Sequence, residues 1–184
     1  MQPTTSGTFR VLADPHGEWL LVDRETTETI AATGGDLEAG YLIEATVEWD
    51  AGDARIRECE VLEETRIHFR EEVTDLFEVA RELCREARMQ GEGLLGETTY
   101  STDNQPNGAV YVFAEQPGAR DMWEELRNGS LPLEPLIDRL ADFDPEPYEI
   151  FVLDPIDEPF VVVYLVPDPD SMLANTVKDT YSSR

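Results

Sequence analysis

The sequence predicts an α+β fold, a small antiparallel β-barrel followed by a helix and then by an antiparallel sheet with two short helices. Three observations lead to this class. Short strand-like segments separated by turn residues fill the first 70 or so positions, a helical periodicity comes next, and strand-like and helical segments then mix to the end. We place a subdomain boundary near Gly91, which divides the chain into residues 1–90 and 91–184.

The predicted barrel consists of five short strands. They cover residues 8–13, 18–23, 28–33, 41–49 and 54–62, and Gly, Pro, Asn or Asp residues lie in most of the breaks between them. Residues 41–49 alternate strictly between apolar and mainly polar side chains, which is typical of a strand with one buried face. In the fifth segment Ile56 and Cys59 fall out of phase. We therefore expect a β-bulge between them.

An amphipathic helix is expected directly after the barrel. Apolar residues recur at spacings of three and four for more than three turns. They are Val73, Leu76, Phe77, Ala80, Leu83, Cys84 and Ala87. Gly91 and Gly93 can end the helix, because glycine readily adopts the left-handed conformation found after helix C-termini. The helix either fills the barrel or packs against the second half.

The second half reads as an α+β layer. We expect strands at residues 97–101 and 109–114, joined across an Asn107-Gly108 turn, and helices at 119–128 and 133–143. Residues 148–153 and 160–166 form a predicted hairpin, whose second strand is apolar on both faces and should therefore be central in its sheet. The stretch from Ser171 is weakly amphipathic, so it either docks or frays, and we assign it as a flexible C-terminal tail.

Lys178 is the only lysine of this chain, beside 13 arginines and 40 acidic residues. A net charge of -26 on 184 residues produces strong self-repulsion in dilute buffer. At 1 M salt the Debye length falls to about 3 Å, and most of that repulsion is screened. The composition therefore indicates adaptation to concentrated salt. No apolar run approaches the roughly 18 residues of a membrane span, and the first residues do not resemble a signal peptide, so we expect a cytoplasmic protein without membrane contact.

No sequence motif supports a catalytic site, a metal site or a cofactor site. Residues 91–96 match the dinucleotide pattern G-x-G-x-x-G, but the motif must leave a strand and open a helix, and here it follows a helix. Cys59 and Cys84 are predicted to be buried free thiols, because neither they nor His16 and His68 have the spacing of zinc ligands. We expect no cofactor, no metal and no catalytic residue.

Arginines supply the candidate binding residues. Arg55 and Arg57 share one face of a predicted strand, and Arg66, His68 and Arg70 share one face of the next extended segment. Two interpretations stay open: an anion-binding surface for a phosphate backbone, or ion pairs with acidic neighbours.

The chain has two resemblances to known proteins. The strand-rich opening through Phe69, with a helix after it, resembles an OB-type barrel. The chain also resembles a small uncharacterised protein family of halophilic archaea, in its excess of Arg over Lys and in its Asp-Pro turns. That family implies no activity, and OB-type barrels bind nucleic acid, oligosaccharide and protein alike.

Three functions are considered. The first is a non-enzymatic module that binds RNA or a ribonucleoprotein through the barrel-face arginines. The second is a protein-interaction or regulatory subunit, with a partner or a homodimer contact on the second half, where the apolar strand 160–166 and the tail contribute. The third is a metal-dependent hydrolase built on carboxylates.

Overall fold

A computed structural model describes residues 3–181 and contains ten strands and four helices. The first six strands are β1 (Thr4–Ala13), β2 (Trp19–Asp23), β3 (Thr29–Thr33), β4 (Leu42–Asp50), β5 (Asp53–Glu63) and β6 (Arg66–Val73). The next elements are α1 (Glu78–Gln90), β7 (Leu94–Tyr100), β8 (Pro106–Ala114), α2 (Met122–Arg127) and α3 (Glu134–Ala141). The last are β9 (Glu149–Pro155), β10 (Phe160–Val166) and α4 (Met172–Thr180).

Strands β1 to β5 close into a ring in the order β1-β2-β3-β5-β4. Every neighbouring pair is antiparallel except β3 and β5, which are parallel. The predicted antiparallel barrel is therefore wrong for one pair of strands. A ring of five strands cannot alternate direction all the way round, because an odd number leaves at least one parallel pair. The ring encloses a core that includes Phe9, Val11, Leu21, Ile43 and Val47.

The bulge expected in β5 is confirmed. Thr46 of β4 pairs with Glu58, whereas the next residue, Val47, pairs with Ile56. Arg57 is therefore the extra residue of β5, and its insertion accounts for the phase change between Ile56 and Cys59.

Strands β6 to β10 form a second sheet in the order β6-β9-β10-β8-β7. The apolar strand β10 is central, as predicted, and all seven of its residues are buried. The sheet is not purely antiparallel, because β6 pairs with β9 in parallel. The prediction was wrong here because these strands are far apart in sequence, so no tight turn imposes an antiparallel arrangement.

Helix α1 packs on β7 and β8 of the second sheet. Its end is the one predicted, because Gly91 adopts φ 69° and its N–H donates to helix carbonyls. By strand pairing, the change from the ring to the second sheet comes between Glu63 and Arg66. The boundary predicted near Gly91 would separate α1 from strands on which it packs.

The predicted hairpin between β7 and β8 is present, but its turn is not at Asn107-Gly108. The chain reverses over residues 101–105, where the Ser101 N–H donates to the Gln105 carbonyl at 2.8 Å, and residues 107 and 108 lie within β8. Gly108 serves a close approach, because a Cβ there would lie 2.7 Å from the Leu165 carbonyl oxygen. The sequence pattern could not distinguish this role of glycine from a turn.

The two sheets share a core. Leu12 and Val22 of the ring pack in one cluster with α2, α3 and the second sheet. The predicted flexible tail is instead a helix, α4, that packs on the rest of the molecule and ends with the C-cap residue Tyr181. Ala174, Val177 and Tyr181 are buried. Residues 182–184 lie outside the described residues. In the part of the chain that is described, no helix has the length and apolar character of a membrane span.

Candidate anion-binding cleft along β6

The five predicted site residues fall into two separate groups. Arg66, His68 and Arg70 alternate along β6, so they share one face of that strand. Arg55 and Arg57 lie near the β4–β5 turn, at the opposite end of β5. The strand from Arg57 to Glu63 alone spans roughly 20 Å at about 3.3 Å per residue. The structure therefore does not bring all five residues into one site.

The β5 arginines have acidic surroundings. Arg57 faces Glu48, with 3.3 Å between Nη1 and Oε2, and its side chain is 63% exposed. Arg55 borders a small cavity of about 110 Å³ together with Glu48, Asp50 and Asp53. For Arg57 the ion-pair interpretation fits the geometry.

On β6, Arg66 is also paired with a carboxylate. Its Nε donates to Glu38 Oε2 at 2.9 Å, and both side chains are about half exposed. The negative charge of Glu38 raises the pKa of Arg66. This pair links the start of β6 to the loop that leads into β4.

His68 belongs to a charge network around a buried carboxylate. Glu149 is only 2% exposed, and it accepts a 2.5 Å hydrogen bond from His68 Nε2 and faces Lys178 Nζ at 3.2 Å. Burial by itself raises the pKa of Glu149, but His68 and Lys178 outweigh it, and the net shift is downward. The His68 ring stacks on Phe151, with centroids 4.9 Å apart. The network joins β6, β9 and α4.

Arg70 differs from the other arginines of β6. Its Nε donates to the Tyr181 carbonyl at 2.9 Å and its Nη1 to the Phe69 carbonyl at 3.1 Å. Within residues 3–181 it has no carboxylate within 4.0 Å, although it is half-buried. Carbonyl oxygens orient the guanidinium but do not neutralise its charge.

Arg70 lines a cleft of about 760 Å³ beside the outer edge of β6. The cleft is also lined by Phe69, residues 71–74, Trp123, Arg127, Thr180 and Tyr181. The Arg127 guanidinium lies 6.0 Å from the ring centroids of both Phe69 and Trp123. Glu71 Oε1 accepts from Trp123 Nε1 at 3.2 Å and from Arg127 Nη1 at 3.3 Å. The wall therefore combines aromatic faces, two arginines and two carboxylates.

The backbone of β6 departs from regular strand geometry beside this cleft. Pairing between β6 and β9 shifts register between Arg70 and Val73, and Glu72 has a φ of 52°. Asp75 has a φ of 57°, and its carbonyl accepts from the Tyr181 hydroxyl at 2.9 Å. Left-handed conformations in residues other than glycine cost of order 1–3 kcal/mol and are concentrated at functional sites. Two of them flank this cleft.

A family model for a family of unknown function, DUF6663, matches residues 1–184. The chain belongs to that family. No curated protein and no solved structure matches the chain.

Sequence reasoning missed several residues around β6. Glu149 and Lys178 were not predicted, and neither were Trp123 and Arg127. For Glu149 a signal exists, because it stands between Tyr148 and Ile150 in an apolar strand, where a charged residue is out of place. In a chain with 40 acidic residues this signal was hidden by the acidic surface.

A second buried charge cluster joins the two halves of the molecule. Arg10 is 3% exposed, and its Nε lies 2.6 Å from Glu134 Oε1 while its Nη1 lies 2.7 Å from Glu146 Oε1. Nη1 also donates to the Gly40 carbonyl at 2.9 Å, and Thr65 Oγ1 donates to Glu146 at 2.8 Å. Burial opposes the charge, but the two carboxylates raise the pKa of Arg10. The cluster is enclosed, so its role is structural.

The two cysteines differ. Cys84 is buried as predicted, and burial raises the pKa of its thiol to about 12. Cys59 is exposed, so its prediction was wrong. Strand β3 pairs with only two residues of β5, Ala54 and Arg55. The rest of β5, which includes Cys59, lacks a neighbouring strand on that side among the described residues.

Proposed function

We propose that this DUF6663 protein is a non-enzymatic binding module of a salt-adapted cytoplasm and that it holds single-stranded RNA in the β6 cleft. The observation that carries the proposal is the environment of Arg70. This half-buried guanidinium lines the cleft and binds only carbonyl oxygens among the described residues. A phosphate oxygen would provide the missing negative charge and accept the guanidinium N–H groups that remain free.

The other walls suit a nucleotide. Phe69 and Trp123 bring aromatic surface to the cleft, and Arg127 lies over both rings. Stacking on an aromatic side chain contributes about 1–3 kcal/mol per base. Glu71 and Glu72 repel phosphate but can accept hydrogen bonds from base amino groups. A volume of about 760 Å³ is within the usual range of ligand sites.

The acidity of the chain is compatible with this ligand in concentrated salt. The affinity that proteins gain from counterion release on a single-stranded nucleic acid falls as salt rises, by about 0.7 in log K per phosphate contact for each tenfold increase. In molar salt, stacking and bidentate arginine geometry carry the binding instead. A cleft with few cations and nearby aromatic rings fits those conditions.

The ring of five strands supports a binding role by resemblance to OB-type barrels. We nevertheless centre the proposal on Arg70 and not on the barrel-face pair. Arg57 already faces Glu48, and Arg55 lies among three carboxylates. Those two positions favour ion pairing.

The test is fluorescence anisotropy of a labelled single-stranded RNA titrated with the full chain in molar KCl. Arg70→Gln should weaken binding at least about tenfold, because one phosphate contact is lost. Arg85→Gln is the matched control. It removes the same charge from the exposed face of α1, and Arg85 has no carboxylate within 4.0 Å in the described part of the chain.

Three outcomes would contradict the proposal. They are no RNA binding by the unaltered chain, equal losses in the two variants, and a loss seen only when Arg55 and Arg57 are both changed to Glu. The last outcome would move the site to the ring.

The two other functions have less structural support. Strand 160–166 was expected to contribute to a partner surface, but all of β10 is buried. For the hydrolase, no group of three or more His, Cys, Asp or Glu side chains within residues 3–181 is arranged to hold a metal ion.

A further inference from the structure

Strand β7 has an open outer edge. In the ring, as far as the chain is described, the part of β5 beyond Arg55 lacks a neighbour on its β3 side, but it carries four charged residues: Arg57, Glu58, Glu60 and Glu63. The outer edge of β6 is capped where the Ile67 N–H donates to the Ala39 carbonyl of the ring at 2.9 Å. At the other end of the second sheet, β7 pairs with β8 alone among the strands of residues 3–181.

The hydrogen-bond pattern identifies the unpaired groups of this edge. The Ala114 N–H donates to the Gly93 carbonyl at 2.9 Å, so Gly93 faces β8. In an antiparallel pair, successive residues face the partner strand and the opposite side in turn. The backbone N–H and C=O groups of Leu94, Gly96 and Thr98 therefore point away from β8, toward the open side.

This edge lacks the usual protection. Natural edge strands carry lysine, proline or several charges, which prevent pairing with another chain. Residues 94–100 include one charged residue, Glu97, although 29% of the chain is charged. Leu94 is 40% exposed and Tyr100 57% exposed. Tyr111 lies against Gly96, where a Cβ would be 2.3 Å from its ring. An apolar strip thus borders the unpaired backbone.

We propose that a second copy of this chain pairs its own β7 with this edge, antiparallel and about a two-fold axis. Two identical antiparallel edges are self-complementary under such an axis. Charge also favours a second copy at this position. Each chain carries a net charge of -26, so two copies meet with least repulsion where the surface has few carboxylates. The pairing would join two five-stranded sheets into one continuous sheet.

The test is the mass in solution, measured by sedimentation equilibrium in molar KCl over a wide concentration range. The unaltered chain should approach twice its 20.8 kDa mass. Thr98→Pro should raise the dimer dissociation constant at least about tenfold, because it deletes an outward N–H in both copies. Thr98→Val is the matched control, because it keeps the N–H and should dimerise normally.

A second variant tests the same contact without changing the backbone, in case Thr98→Pro fails to fold. Leu94→Glu leaves the backbone intact and places like charges at the contact, so it should also produce monomers. Thermal melting followed by circular dichroism shows whether each variant is folded. A monomeric unaltered chain, or a dimer that persists in both variants, would overturn the proposal. These outcomes are independent of RNA binding in the β6 cleft.

Discussion

At the scale of single residues, the charges that matter most are the buried ones. Glu149 is almost inaccessible to solvent and is held by His68 and by Lys178. Lys178 Nζ also donates to the Pro169 carbonyl at 3.4 Å. The only lysine of the chain therefore attaches α4 to the start of β9. Because Thr180 and Tyr181 line the cleft, this attachment also positions one of its walls.

Replacing Lys178 should measure that attachment. Lys178→Met should lower the free energy of unfolding by about 1–3 kcal/mol, because among residues 3–181 Glu149 then keeps only His68 as a partner. Lys178→Arg retains the charge and should lose much less. Urea unfolding in molar KCl gives both values. Equal stability of all three proteins would show that the ion pair contributes nothing.

The same comparison has a defined pH dependence. The folded-state pKa of Glu149 lies below its ordinary value, so its stabilising contribution is present above that ordinary value. The contribution is lost as the pH falls through the lower folded-state pKa. The difference between the unaltered chain and Lys178→Met should therefore shrink in acid.

Individual charged residues were the least predictable part of the sequence. The pattern of β6 placed Arg66, His68 and Arg70 on one face, which the strand confirms. It could not show which groups surround Arg70, because one partner of its guanidinium, the Tyr181 carbonyl, comes from a segment over 100 residues away.

At the scale of elements, Gly40 controls how the ring meets the second sheet. Its φ is 107°, and a Cβ there would lie 2.6 Å from both the Ile67 nitrogen and the Thr65 carbonyl oxygen. The loop before β4 can approach β6 this closely only because residue 40 has no side chain.

Gly40→Ala should therefore destabilise the protein by at least about 2 kcal/mol, through backbone strain and overpacking together. Gly17→Ala is the control. Gly17 also has a positive φ, of 87°, but a Cβ there would meet nothing within 4 Å. Thermal melting in molar KCl compares the two variants. A similar loss in both would mean that strain alone, and not the contact with β6, decides the result.

Local elements were predicted better than their partners. The five ring strands lie near their predicted positions, because alternation is a local property. Helix α1 ends as predicted but begins only at Glu78, because Val73, the first residue of the predicted helical pattern, belongs to β6. The parallel pairing of β6 with β9 depends on contacts about 80 residues apart, such as Arg66 with Glu149. No local pattern encodes such a pairing.

At the scale of the whole molecule, the ring and the second sheet share one hydrophobic cluster. Leu12 and Val22 pack with α2 and α3, and Arg10 joins β1 to Glu134 and Glu146. Neither half could lose the other without exposing apolar surface and leaving buried carboxylates unpaired.

Arg10→Met should consequently lower the free energy of unfolding by about 3–5 kcal/mol, because Glu146 loses its cation and Glu134 keeps, among the described residues, only the longer contact with Arg24 at 3.7 Å. Arg139→Met is the control, since it removes an exposed arginine from α3. Urea unfolding followed by tryptophan fluorescence suits the question, because Trp19 and Trp49 pack on the ring core and Trp123 in the shared core. Two separate transitions in the unaltered chain would contradict a shared core.

The single lysine also gives the protein a unique side-chain site for a spectroscopic label. Reductive methylation with carbon-13 formaldehyde keeps the positive charge of an amine, and in this chain Lys178 is the only side chain that can take it. Its side chain is 35% exposed, which allows the reagent to reach Nζ. The labelled amine would lie two residues from the cleft wall at Thr180. Its NMR signal would then follow occupancy of the cleft without any change to the sequence.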